Sequence, residues 1–582
     1  MRPAPLLAAL LFACSTIAWP QDHRTPEPPS GRTPEQAMAA RRDMVAAANP
    51  LAVAAGREIL REGGTAVDAA VAVQMVLNLV EPQASGIGGG AFMLFHNGHN
   101  GLLTAYDGRE TAPAAAAPDR FLGRDGMPIE FYDAVVGGKS VGVPGTLRVL
   151  ELAHRQYGKL PWPKLFEGAI ALAERGFPVS ARLHGAIAAE TRLTQEQARA
   201  YFYNPDGTPL PIGHVLRNPA FATTLKRIAA EGADALYKGE IARDIVDTVR
   251  SAANPGDMTE ADLARYKAKV REPVCGRYRA YRVCSMPPPS SGGTTVLQIL
   301  GILEPFDMKA LGAESLMSVH LFSEAGSLAY ADRDHYLADP DFVPPPAGLT
   351  DPAYLRERAS LISLDASFRR AQPGVPPAPP ARKKAAFEDF GTGRALEFPS
   401  TSHISIVDRY GNAVAMTTTI EDVFGSRLMT RSGFLLNNEL TDFSFRPVVD
   451  GRPVANRIEP GKRPRSSMAP TIVYDARGEV YMVVGSAGGS AIINYVAKTL
   501  LGVLDWGLDP QAAIDLPNVG SRNGPVALEK GTAAVALQSK LRALGHETTI
   551  VEETSGTQAI VRTRSGWIGG ADPRREGTAK GE

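Results

Sequence analysis

Two runs of alternating residues, 402–407 and 413–419, flank the turn sequence Asp408-Arg409-Tyr410-Gly411-Asn412. Strict alternation suits a pleated strand, and two such runs joined by a Gly-Asn turn predict a hairpin with Thr401 at its very edge. Residues 480–484 predict another strand. It leads into Gly485-Ser486-Ala487-Gly488-Gly489 and then into a helical pattern with Ile493, Val496, Leu500 and Val503 facing inward. Residues 51–62 have helical spacing and stop at Gly63-Gly64. Residues 65–80 are nearly apolar, but Asp68 and Gln74 interrupt them and Pro82 closes them, which predicts a buried core helix and not a membrane span.

The chain divides into a helix-rich first part, a proline-rich break at 373–380 followed by Arg382-Lys383-Lys384, and a strand-rich last part starting near Thr401. The break reads as a solvated linker. No repeat of solenoid or propeller length is present. The 582 residues carry 62 basic and 62 acidic side chains without a long run of one sign, so nothing points to a nucleic-acid partner. At the start, Arg2, the apolar run 6–13 and the small residues around 15–18 read as a secretory signal over about residues 1–20, too short to span a bilayer. Leu11-Phe12-Ala13-Cys14 also resembles a lipoprotein processing box, although Phe12 is bulky for its place; the alternatives are a free exported protein and one anchored by lipid at Cys14. Without Cys14 two cysteines remain. Cys275 and Cys284 lie opposite each other in a predicted hairpin over 274–285, centred on Arg279-Ala280, where a disulfide and two free thiols are both allowed.

Several familiar motifs fail. The ten histidines form no His-Glu-x-x-His signature, and His96 and His99 have no acid at ligand spacing. Gly138-Lys139-Ser140 looks like the end of a phosphate loop, but Asp133 stands where that loop requires glycine. No Gly-x-Ser-x-Gly elbow occurs, and Gly86-Ile87-Gly88-Gly89-Gly90 is better read as a tight turn letting backbones approach.

Four separated segments together supply what amide cleavage at an amino-acid-like substrate needs. Ser400-Thr401-Ser402-His403 contains a threonine that becomes a nucleophile only if a cut after Ser400 frees its own amine as the base, or is a strand that merely begins with polar residues. Gly488-Gly489, at a helix start, can present backbone N–H groups to an oxyanion, equally bind a phosphate, or simply turn the chain. Residues 462–470 hold Ser466 and Ser467 between stiffening prolines, suited to a carboxylate, or form a solvated basic loop. Arg109 suits a carboxylate and the pair Glu439 and Asp442 an ammonium, unless all three are surface ion-pair partners.

With these segments in view, the chain resembles the gamma-glutamyltranspeptidases, of the N-terminal nucleophile hydrolase superfamily, over nearly its whole mature length. The ordered matches include residues 62–70, 142–146, 285–293, 329–333, 401–408, 411–415, 435–438 and 485–490. The resemblance implies an αββα sandwich built jointly by a large subunit, 21–400, and a small one, 401–582, cut from one precursor. It implies Thr401 as nucleophile, Thr419 as its supporting partner, and the amides of Gly488 and Gly489 as the oxyanion hole. Arg109, Ser466 and Ser467 would hold the substrate α-carboxylate, and Glu421, Glu439 and Asp442 its α-amino group. The implied substrates are glutathione and other γ-glutamyl compounds, transferred to water or to an amino acid or peptide, with no metal or organic cofactor. The N-terminal signal makes the expected location exported, periplasmic or secreted.

The sequence departs from the family pattern in two places. Some members carry asparagine at the position of Glu421 and glutamine at that of Glu439, so three acids here surround one ammonium and resist joint ionisation. Between Asp442 and Ser466 no aromatic residue beyond Phe445 could serve as the lid of some relatives. Two rivals remain: an acylase of the same fold acting on a glutaryl or similar chain, and an exported amino-acid or peptide binder without chemistry.

Overall fold

The computed structural model describes residues 31–377, 390–393, 395 and 397–582. The secretory signal, Cys14 and the basic end of the proline-rich break lie outside the described residues.

Among the described residues, two seven-stranded sheets, each antiparallel throughout, form the centre. Their strands are β1 (Met38–Ala40), β2 (Met44–Ala47), β3 (Gly90–His96), β4 (Leu103–Gly108), β5 (Lys269–Arg271), β6 (Val274–Tyr278) and β7 (Tyr281–Ser285). From the later part of the chain come β8 (Ser402–Val407), β9 (Ala413–Thr419), β10 (Thr471–Tyr474), β11 (Val480–Gly485), β12 (Gln558–Thr563), β13 (Gly566–Ala571) and β14 (Thr578–Gly581). One sheet runs β1-β13-β12-β11-β10-β7-β6, the other β14-β2-β8-β9-β3-β4-β5. They pack face to face through β8, β9, β11 and β12.

Helices cover both outer faces, completing an αββα sandwich. On the second sheet lie α1 (Pro50–Arg61) and α2 (Ala66–Val80); on the first lie α3 (Gly292–Leu303), α4 (Leu316–Tyr336) and α5 (Ile492–Leu504). The predicted core helix is α2, every residue of which is buried. Its N-terminus is closed by a capping box in which Thr65 accepts from the Asp68 N–H and Asp68 from the Thr65 N–H. Asp408, from the β8–β9 turn, accepts the Ala66 N–H at 2.8 Å, adding a carboxylate where the helix dipole favours one.

The predicted hairpin is β8–β9, in register Ser402↔Thr418 to Val407↔Ala413. It is not an edge feature: β2 flanks β8 on its other side and β3 flanks β9. Interior placement buries both strands completely and leaves Thr401 only 3 % exposed. The 274–285 hairpin also forms, with Cys275 opposite Cys284, and the two are joined as a disulfide.

Candidate active site

Thr401 immediately precedes β8. Its Oγ1 lies against the carbonyl oxygen of Ser400 and donates to Thr419 Oγ1 at 3.2 Å, because Thr419 ends the neighbouring strand. Thr419 Oγ1 in turn accepts the N–H of Glu421 at 2.8 Å. The Thr401 carbonyl takes a hydrogen bond of 2.7 Å from Arg575, and Ser400 Oγ donates to the Gln83 carbonyl at 3.0 Å. The Ser400–Thr401 peptide is thus buried, with the Thr401 hydroxyl against its carbonyl oxygen.

Close backbone approach fixes the surroundings. A Cβ on Gly88 would lie 2.0 Å from the Leu435 carbonyl oxygen, and one on Gly89 equally close to that of Thr419; only glycine fits there. The predicted tight turn therefore presses β9's end against the segment carrying the acids. Asn437 fastens that segment, donating to the carbonyls of Gly88 at 2.7 Å and Gly142 at 2.9 Å. Asn438 accepts the Asp422 N–H at 2.9 Å and donates to the Glu421 carboxylate. Glu421 is held at φ +75°, a region that non-glycine residues rarely occupy.

Arg109, at the end of β4, reaches both acids of the 439–442 turn. Its guanidinium donates to Glu439 and Asp442 and to the carbonyls of Pro464 and Arg465. All three charged side chains are buried, so the reading as surface ion-pair partners fails. Burial alone would lower the Arg109 pKa, but Glu439, Asp442 and Glu110 together raise it. Burial pushes the carboxyls of Glu439 and Asp442 well above the usual range despite Arg109; Glu110 adds to the rise at Glu439, and Glu397 and Glu439 to that at Asp442. Glu421 is likewise raised by burial and by Asp442, Asp422 and Glu439. Glu110, buried beside Glu439, is pushed up by burial to about 7, although Arg109 counters the rise. The carboxyls crowded around one guanidinium thus resist joint ionisation.

The 462–470 segment is buried and not a solvated loop. Lys462 donates to Ala455 O at 2.7 Å and Glu459 at 2.8 Å, Arg463 lies 3.3 Å from Asp107, and Arg465 donates to the Arg333 carbonyl at 3.2 Å. Ser291 Oγ and N–H hold the Ser466 carbonyl at 2.6 and 2.7 Å. Ser466 Oγ accepts the Met468 N–H at 3.1 Å, and Ser467 Oγ meets Arg333 Nη2 at 2.7 Å and the Glu397 carboxylate. Gly488 and Gly489 follow β11 with φ +138° and +55°. A Cβ on Gly489 would come within 2.5 Å of the Phe398 carbonyl oxygen.

Sequence reasoning missed Glu110, Glu397 and Arg333. Arg333 stood inside the matched stretch 329–333, but nothing local tied its charge to Ser467. Phe445 stacks on Phe121, with ring centres 4.6 Å apart. Away from this site, the fold gathers His320, Glu324 and His546, donors that the spacing test for metals missed. The histidines there hydrogen-bond each other at 2.7 Å.

Among the described residues, no helix is long and apolar enough to cross a membrane. Residues 52–582 match the gamma-glutamyltranspeptidase family. Similar relatives include the glutathione hydrolase proenzymes of Bacillus subtilis (strain 168), 38 % identical over 99 % of this chain and 97 % of its own, and of Escherichia coli (strain K12), 39 % identical over 92 % and 91 %. Among solved structures, a cephalosporin acylase from Bacillus halodurans aligns at TM-score 0.81 with 26 % identity over 98 % of this chain and 99 % of its own. Helicobacter pylori gamma-glutamyltranspeptidase aligns at 0.55 with 36 % identity, over 59 % of this chain and 97 % of its own. With Thr401 at the head of an interior strand of an αββα sandwich and a match spanning nearly the whole chain, this protein belongs to the gamma-glutamyltranspeptidase family.

Proposed function

We propose that the chain is a proenzyme that cuts itself between Ser400 and Thr401 and then uses Thr401 to take the γ-glutamyl group from glutathione and related amides. The contact of Thr401 Oγ1 with the Ser400 carbonyl carries this reading. In the cut, Oγ1 bonds to the Ser400 carbonyl carbon while the peptide C–N bond breaks, the hydroxyl proton passing to the leaving nitrogen. That step already frees the Thr401 amine; water then hydrolyses the resulting ester, restoring the Thr401 hydroxyl and leaving a carboxylate on Ser400.

In turnover that amine serves as the base for Oγ1. Oγ1 attacks the γ-carbonyl, the N–H groups of Gly488 and Gly489 stabilise the oxyanion, and the amine product leaves. Water or an acceptor amino acid then releases the γ-glutamyl group. Thr419 keeps Oγ1 oriented. Arg109, Ser466 and Ser467 take the substrate α-carboxylate, and Glu421, Glu439 and Asp442 its ammonium. The cycle needs no metal or organic cofactor. Large (21–400) and small (401–582) subunits form the working heterodimer, exported after loss of residues 1–20 or anchored through Cys14.

An acylase acting on glutaryl groups is the rival, and one relative is named Acylase ACY 1 proenzyme, 35 % identical over 91 % of this chain. The raised carboxyls favour the γ-glutamyl reading, since an ammonium eases the crowding of acids around Glu421 and a glutaryl chain brings none. Purified protein should give two bands on a denaturing gel, the smaller beginning at Thr401. Thr401→Ala should remain one inactive chain, and an efficiently cut alanine variant would refute the shared nucleophile. γ-Glutamyl-p-nitroanilide should be cleaved at least tenfold faster than its glutaryl analogue; the reverse ranking favours the acylase, and a lasting single wild-type chain favours a binder.

A further inference from the structure

Just upstream of the cut, the chain lies on the same side chains to which the proposed function gives the substrate. The carboxylate of Glu397 accepts from Ser467 Oγ and from Arg333 Nη2. The N–H of Phe398 points to Glu421 Oε1 at 3.4 Å. The carbonyls of both residues crowd Gly489, 2.5 and 2.8 Å from where a Cβ would stand. The Phe398 ring packs against Phe131 and Tyr132, with centres 4.7 and 6.3 Å away, so this placement is anchored by apolar contact as well as by polar pairing. An anion thus sits on the carboxylate seat, an N–H on the ammonium seat, and backbone over the oxyanion glycine.

Glu397 is an anion here. Its burial favours the neutral form, but Arg333, Arg465 and the Ser467 hydrogen bond outweigh that and hold its carboxyl below the usual range. Arg333 is itself firmly placed, with Nε donating to Ser291 Oγ and Nη1 to Asp334, both at 2.8 Å. The donors of Arg109, by contrast, are engaged by Glu439, Asp442 and two carbonyls.

We propose that residues 397–398 are an internal surrogate for the amino-acid head of the substrate, closing the uncut chain to ligand, and that Arg333 is a binding residue of the α-carboxylate seat. This rests on the reading of Ser467 and Glu421 as substrate-gripping groups. The surrogate is tethered a few residues from the site, so its effective concentration is on the order of millimolar or more and free ligand competes poorly. Once the peptide bond before Thr401 is cut, the tail ends at Ser400 and is free to leave, and the guanidinium that served Glu397 faces the incoming carboxylate.

Calorimetric titration with L-glutamate separates the possibilities, using the cut wild type, the uncut Thr401→Ala chain and uncut Thr401→Ala/Glu397→Ala. The cut enzyme should bind, the uncut chain at least tenfold more weakly, and removal of the Glu397 carboxylate should restore most of the difference. Equal binding by cut and uncut chains, or no gain from Glu397→Ala, overturns the surrogate. If the cut wild type neither binds glutamate nor cleaves γ-glutamyl amides, the site reading fails first and takes the surrogate with it. Arg333→Lys in the cut enzyme should raise KM for γ-glutamyl-p-nitroanilide about tenfold with kcat within threefold; an unchanged KM, or a fall confined to kcat, removes Arg333 from the seat.

Discussion

On the strand that begins after Thr401, side chains alternate between the helical layer and the opposite sheet, so His403 and Ser405 share the face of Thr401. His403 nevertheless does not serve as its base. Its ring nitrogens are engaged by Thr417 Oγ1 at 2.8 Å and Ser405 Oγ at 3.1 Å, and a Cβ on Gly485 would touch the ring at 2.2 Å. Burial drives its pKa from 6.5 down to about 3. Below pH 6.5 the unfolded chain therefore takes up a proton that the folded one refuses. Stability is full above 6.5 and is lost as pH falls toward 3, by about 1.4 kcal/mol per pH unit for this group. In the uncut Thr401→Ala background, His403→Gln should flatten the dependence of the urea midpoint on pH between 7 and 5; identical slopes with and without His403 would contradict a buried neutral imidazole.

At the scale of elements, the β6–β7 hairpin closes one border of its sheet, where β6 has no further strand beside it among the described residues. Cys275 and Cys284 face each other with Cα atoms 4.1 Å apart, a non-hydrogen-bonded pair of an antiparallel ladder. Their bond clips a border that would otherwise fray, and β7 carries the clip inward by pairing with β10. A bridge closing so short a loop is worth about 2 kcal/mol. Replacing both cysteines by serine should lower the thermal midpoint by roughly 1–3 °C, and reductant should do the same to the wild type but not to the variant. A midpoint indifferent to both would make the bridge a bystander.

At the scale of the molecule, the proposed cut separates fragments that share both sheets. In one sheet β8 and β9 of the later part lie between β2 and β3 of the earlier part; in the other, β10 to β13 lie between β1 and β7. Asp408 on the Ala66 N–H adds a capping contact across the same divide. The fragments should therefore co-elute as one species after processing and separate only under denaturant, together with loss of sheet signal. Separation in plain buffer would contradict this interleaving.

Much of this architecture was legible because its signals are local. The alternation of 402–407 and 413–419, the stop at Gly63-Gly64, the apolar run ending before Pro82 and the opposition of Cys275 to Cys284 follow from periodicity and turn chemistry over a few residues. The resemblance brought Thr401, Thr419 and the two glycines into one proposal. Only the tertiary structure decided which charges meet. Arg109 and Glu439 are 330 positions apart, and nothing within a few residues of either tells a buried ion pair from two solvated side chains. Burial of 462–467, the hold of Arg333 on Ser467 and the placement of Glu397 depend likewise on which layers come together. The sequence by itself determined the strands, the helices and the threonine at the head of β8, since these depend on backbone period and caps; the sandwich decided the electrostatics around that threonine, because desolvation and pairing exist only once distant segments exclude water together.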